Sequence, residues 1–237
     1  MKSTTIFAII LLVAFAISAQ EKRKSADWES ASMDQWTSEQ VRSILGRSAW
    51  AKLIEGDEAV TMLGPDPGGL RLNTLRAPND TLILLRSSLL IKYALVRQRQ
   101  LQEKYDSMKA DAKKAFNAKN RELIECPACD KFYIVSIMGP YAILRDKKLI
   151  TSNRKLVFLS NEKGEIRELA NFSPAAAVGG EALFFFPRND DKGRPLVDAN
   201  NAKLVFNFNI ISLATGSIFQ KIEFNVPDLV REGKVIF

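Results

Sequence analysis

"AKLVFNFNI", residues 202–210, alternates without a break: Leu204, Phe206, Phe208 and Ile210 on one side, Val205, Asn207 and Asn209 on the other. Successive side chains of an extended strand point to opposite faces. This period of two therefore predicts a strand with one face in a core and the other in solvent. Downstream, "ATGS" (214–217) reads as a turn, and "IFQKIEFNV" (218–226) returns with Ile222, Phe224 and Val226 facing in. "GKVIF" (233–237) closes a last strand. Upstream, "EALFFF" (181–186) is a strand stopped by Pro187, and "KFYIVSIMG" (131–139) is rich in β-formers. "KKLITSNRKLVFLS" (147–160) reads as two short extended pieces, or one strand approaching an "NEKGE" turn at 161–165. Short strands at regular spacing with one-sided patterning predict an antiparallel sandwich or partial barrel.

The first part of the chain is organised differently. "WTSEQVRSILG" (36–46) predicts a short helix with its start written out. Thr37 and Gln40 have capping-box spacing, Trp36 and Val41 that of a hydrophobic staple, and Gly46 is a stop. All three tryptophans, Trp28, Trp36 and Trp50, fall within the first fifty residues. They read either as an aromatic binding patch or as anchors of a small helix on a sheet, the second being preferred. "EAVTML" (58–63) looks like a strand ended by the turn-forming "GPDPGG" (64–69). "TLILL" (81–85) is apolar on both faces, as in a buried strand.

From about 88 to 123 no Gly or Pro interrupts a helical pattern. About 35 residues at 1.5 Å each make a rod of roughly 50 Å, longer than a small domain is wide. Leu101, Tyr105, Met108, Ala112 and Ala115 recur along it as a narrow stripe. Leu101, Tyr105, Met108 and Ala112 are thus candidates for an interaction surface. The helix is expected to project, to bend back across the sheet, or to pair with another chain. The fold class expected is α+β: an antiparallel β-sandwich-like domain over 36–237, with a short N-terminal helix and one long inserted helix.

"IFAIILLVAFAI" (6–17) follows Lys2 and precedes Ala19, which is the pattern of a secretory signal peptide over 1–19. A retained anchor is the alternative, although the stretch is short for a span of about 20 residues. Residues 20–35 form a polar, flexible segment. The expectation is an exported protein, periplasmic or extracellular, with no integral span once the signal is removed and no nucleic-acid partner. The formal net charge is +7; anionic lipid or an acidic wall polymer is compatible with such a balance. Residues 86–125 hold much of the excess, read as a solvated helix face.

The chain has no histidine and two cysteines. Ser-His-Asp and Cys-His catalysis are therefore excluded within it, and two thiols supply half of a structural zinc site. No metal or cofactor is expected. "IECPACDKF" places Cys126 and Cys129 at the spacing of disulfide oxidoreductases. In those enzymes the motif opens a helix, whose N-terminus stabilises the thiolate; here a helix precedes Cys126 and a strand follows. Glu125 and Asp130 also raise a thiol's pKa. A local disulfide closing the helix-to-strand turn is preferred, with thiol–disulfide exchange as the alternative. Glu181, Asp190 and Asp191 are the candidate carboxylates for hydrolysis, read as surface residues. "NDDKG" (189–193) is a turn or a weak calcium loop.

The order "QWTSEQVRSILGRSAWAK", "FYIVSIMG", "GGEALFFFPR", "AKLVFNFNI" and "REGKVIF" resembles a group of exported acidobacterial proteins of unknown function. That group is similar to the C-terminal β-module of Gly-Trp-x-Thr-Asp (GWxTD) motif proteins. The named motif is absent, since Gln35 precedes Trp36-Thr37 and Ser38 follows. The resemblance covers roughly 36–237, implies export and a β-rich fold, and carries over no catalytic residue. The expected function is a non-enzymatic envelope binding or assembly module, acting on an envelope protein or by self-association through the long helix.

Overall fold

A computed structural model describes residues 31–55, 80–212, 216–217, 221–231 and 234–235. The signal-peptide segment, Trp28, and the strand and turn expected at 58–69 lie outside the described residues. The strands are β1 (Ala51–Ile54), β2 (Thr81–Leu85), β3 (Phe132–Met138), β4 (Val157–Asn161), β5 (Ile166–Glu168), β6 (Asn171–Ser173) and β7 (Glu181–Pro187). They continue with β8 (Lys203–Phe208), β9 (Ile211–Ser212), β10 (Gly216–Ser217), β11 (Lys221–Asn225), β12 (Val230–Arg231) and β13 (Lys234–Val235). The helices are α1 (Ser38–Arg47), α2 (Leu89–Gln102), α3 (Ala110–Lys119), α4 (Arg121–Glu125), α5 (Lys147–Ser152) and α6 (Val226–Leu229).

Two antiparallel sheets face each other, one ordered β1-β2-β3-β7-β6 and the other β11-β8-β4-β5, with β9-β10 and β12-β13 as small ribbons. The alternation of 202–210 works as expected: Leu204, Phe206, Phe208 and Ile210 are all buried. In an antiparallel register, residues directly opposite share a face. Tyr133 lies opposite Phe186, Val135 opposite Phe184 and Ile137 opposite Ala182, so these six lie on the inner face of the first sheet. Phe184 meets Phe206 and Phe208 across the gap at ring-centroid distances of 5.6 and 5.9 Å. The edge-to-face geometry suits the aromatic quadrupole and fills the interior without a polar atom.

The outer face of the five-stranded sheet carries Leu82 and Leu84 of β2 and Ile134, Ser136 and Met138 of β3. All five are buried. Leu82, Leu84 and Met138 share one continuous apolar core with Val41, Ile44 and Leu45 of α1 and with Ile91, Ala94 and Leu95 of α2. The helix start expected at Thr37 is present: Gln40 N–H donates to Thr37 Oγ1 and Thr37 N–H to Gln40 Oε1. Trp36, Val41 and Trp50 are buried, as an anchored helix requires. Gly46, expected as the stop, instead lies inside α1, which ends at Arg47.

Two expectations are corrected. The long helix at 88–123 is three helices, α2, α3 and α4, with a 3-10 turn at Tyr105–Ser107 between the first two. Lys104 takes the left-handed conformation at φ 56°, which ends α2 without a glycine. Asp106 then folds back and accepts both guanidinium N–H groups of Arg97, each at 2.9 Å. Arg97 is buried and also donates to the Trp36 carbonyl at 3.0 Å, so one side chain ties this joint to the entry of α1. Residues 147–156, expected to be extended, form α5 and a 3-10 turn, and only 157–161 enters the sheet. Asp146 caps α5 by accepting from Leu149 N–H at 2.8 Å, and Ile150 plugs the helix into the core.

Candidate functional site

The helical layer covers β2 and all of β3 but its first residue, Phe132, and leaves the outer face of β7 partly open. Along β7, Ala182, Phe184 and Phe186 are buried, whereas Glu181, Leu183 and Phe185 are half-buried. A groove of about 510 Å³ runs between that open face and the returning chain of α3 and α4. Its floor is apolar, made by Ile134, Leu183 and Phe185. Leu123, Pro127 and Ala128 form one wall and bring Cys126 to the same edge.

The polar end is built from three long side chains of distant origin. Arg86 is the residue after β2, Arg99 is in the last turn of α2, and Glu181 begins β7. Arg86 Nε donates to Glu181 Oε1 at 3.2 Å, and both side chains are largely covered. Arg99 donates to Asn120 Oδ1, and the Asn120 amide in turn donates to the Phe116 carbonyl. Burial pushes the Arg99 pKa below its ordinary value, the nearby Arg86 cation pushes the same way, and Glu181 opposes both. Arg86 is thus paired with Glu181, while Arg99 beside it bonds an amide, Asn120, and takes part in no ion pair among the described residues. Lys119 stands exposed at the rim, within 3.6 Å of Glu103.

Of the residues singled out from the sequence, Cys126 and Cys129 have their sulfurs at bonding distance, with Cα atoms 5.4 Å apart. Cys126 caps α4 in the left-handed conformation, φ 43°, with its N–H on the Glu122 carbonyl. It sits at the C-terminal, negative end of a helix, an unfavourable place for a thiolate. The Cys129 carbonyl accepts Arg188 Nε at 2.6 Å, and the Arg188 guanidinium lies 5.1 Å over the Tyr133 ring. The pair therefore joins the helical layer to the end of β3.

The four stripe residues do not share one helix. Leu101 is half-buried near the end of α2, and Tyr105 belongs to the 3-10 turn. The Tyr105 ring lies 4.9 Å from that of the buried Phe116. Met108 closes the turn, half-buried, and Ala112 is exposed on α3. Glu181, expected at the surface, is instead a largely covered carboxylate of the groove, paired with Arg86. Asp190 forms a tight turn, accepting from Lys192 N–H and Arg194 N–H at 2.9 Å each. Among the described residues no cluster of three or more His, Cys, Asp or Glu could hold a metal ion. No described helix is long and apolar enough to cross a membrane.

Arg86 and Arg99 escaped the sequence reading because both count there as solvated charges of a basic helix region. A trace of Arg86 is present, a cation set directly against a fully apolar strand. No family model, curated protein or solved structure matches the chain.

Proposed function

We propose that this chain is an exported, non-enzymatic binding module of the cell envelope, and that its ligand site is the groove beside β7. The observation that carries the reading is Arg99, half-buried beside the Arg86–Glu181 ion pair, bonded to the Asn120 amide and to no carboxylate among the described residues, above an apolar floor. A half-desolvated excess cation attracts an anion more strongly than an exposed one does, because less water screens it. The apolar floor adds affinity for a ligand that carries carbon next to its charge. The ligand class is therefore an anionic group, carboxylate or phosphate, on an apolar body. Export follows the signal-like residues 1–19, and the resemblance to exported β-modules is part of the same proposal.

The probe is 8-anilinonaphthalene-1-sulfonate, which joins a fixed negative charge to aromatic rings. One molecule per folded chain is expected to bind. Arg99→Gln should weaken that binding about tenfold, the effect of losing one charged hydrogen bond of about 1.4 kcal/mol. A titration unchanged in both Arg99→Gln and Leu183→Gln, with thermal midpoints intact, would remove the groove as the site.

Cys126 lines the same groove, and that single observation keeps thiol–disulfide exchange as a second reading. It requires the pair to cycle. Insulin reduction at a rate above the uncatalysed background, abolished by Cys126→Ser, would favour it over a binding module.

A further inference from the structure

We propose that the segment from Arg145 to Leu156 is a docking surface for an anionic lipid bilayer. It links β3 of the first sheet to β4 of the second, and it contains α5 and the 3-10 turn at Arg154–Leu156. Arg145, Lys147, Lys148, Arg154 and Lys155 are all exposed within these twelve residues. The one acid among them, Asp146, caps α5, so the segment carries five positive charges against one negative. None of the five cations takes part in an ion pair among the described residues.

Two large apolar residues within the same twelve positions are also exposed, Leu149 at 37% and Leu156 at 42%. More than half of each is covered, but the firmest anchors of the segment are the residues beside them. Ile150 and Val157, each next to one of them, are fully buried and do that work. The Leu144 carbonyl also accepts Ala175 N–H at 3.0 Å. The leucines are thus presented outward on a rigid base, with little conformational entropy left to lose on binding.

Cations around exposed leucines match the chemistry of a membrane surface, where anionic headgroups overlie hydrocarbon. Each basic side chain near an anionic bilayer adds attraction that falls off within a Debye length. Leucine adds burial of apolar area below the headgroups. A soluble polyanion would use the charges and leave the leucines idle. The α3 helix supplies the contrast: Lys109, Lys114 and Lys119 are exposed there, but no large apolar side chain is exposed beside them. In addition, Lys119 pairs with Glu103, and Lys113 lies over the Tyr105 ring at 5.2 Å.

The test is co-sedimentation of the full chain with vesicles of equal parts phosphatidylglycerol and phosphatidylcholine, and with pure phosphatidylcholine vesicles. The second set reads any binding through the apolar residues 6–17, which all variants share. At about 0.1 M salt, where charges beyond about 10 Å are screened, the wild type should prefer the anionic vesicles. The K147E/K148E/R154E/K155E variant should lose that preference by at least about tenfold. L149S/L156S, with the charge unaltered, should lose about three- to tenfold. K109E/K113E/K114E/K119E, matched in net charge to the first variant, should change by less than about threefold. Equal losses in the two charge-reversed variants would overturn the proposal in favour of net charge alone. Binding to heparin that L149S/L156S leaves intact, without any preference for anionic vesicles, would overturn it in favour of a soluble polyanion.

Discussion

The two faces of β7 are made by alternate residues of one strand, yet they live in different environments. On the inner face Ala182, Phe184 and Phe186 are fully buried against the second sheet. On the outer face Glu181, Leu183 and Phe185 are half-covered and border a groove that holds two arginines. The inner face can be dry because the opposing sheet supplies a second apolar surface of the same shape. The outer face cannot close in the same way, because the helices above it break and turn back at Lys104. A strand shared in this way lets one surface carry stability while the other stays partly open.

The largest break in that comparison is a pair of truncations. Phe206→Ala removes a ring from the centre of the inner aromatic cluster and should cost about 3–5 kcal/mol. Phe185→Ala, on the outer face, should cost only about 1–2 kcal/mol, since the side chain is only partly buried. Urea unfolding of both variants checks this directly. Equal losses would mean that the outer face belongs to the core and that the groove is a packing defect.

The same division explains what could be read in the sequence. The inner face was legible because its signal is local: a period of two over 202–210, and an aromatic run ended by Pro187. The capping box at Thr37 was legible for the same reason, since both partners lie within four residues. The joint at 103–109 was not. It depends on Arg97 reaching the Trp36 carbonyl, 61 positions away, and on Asp106 folding back to Arg97. No glycine or proline marks it, and an unbroken run of helix-formers reads as an unbroken helix. Residues 147–152 misled in the other direction: "KKLIT" reads as a β-former run until its Asp146 cap is recognised. The groove was the least legible, because Arg86 and Glu181 are 95 positions apart and meet only through the strand register.

A smaller effect is expected from the outer layer alone. Replacing Cys126 and Cys129 by serine opens a loop of four residues, for which chain entropy allows about 2 kcal/mol at most. The loss should stay local. Amide exchange should quicken across 121–131, while the inner residues of β7 and β8 keep their protection. Unfolding of both sheets together would show that the inner face depends on the helical layer more than the geometry of β7 implies.

Acid gives the smallest effect and separates the two layers most finely. The Asp106 carboxyl lies below its ordinary value of 3.8, chiefly because its side chain accepts from Arg97. In the second sheet, Glu223 is held at about 2 by hydrogen bonds from Lys203 and Lys221. Both pKa values are depressed by folding, so their stabilisation is complete above the unfolded-state values. It is lost as pH falls through the folded ones. The window for Glu223 runs from 4.5 down to about 2. Both carboxylates reach solvent, which screens the effect, so the thermal midpoint should hold near neutrality and sag gently in that acid range. Asp106→Asn should flatten part of the sag and quicken exchange in 97–120 at neutral pH. Glu223→Gln should flatten another part and disturb only β8 and β11. The helical joint and the sandwich then titrate as separable units. Acid limbs identical in the wild type and in Asp106→Asn would deny the Arg97–Asp106 clamp any role in holding the outer layer over the sheet.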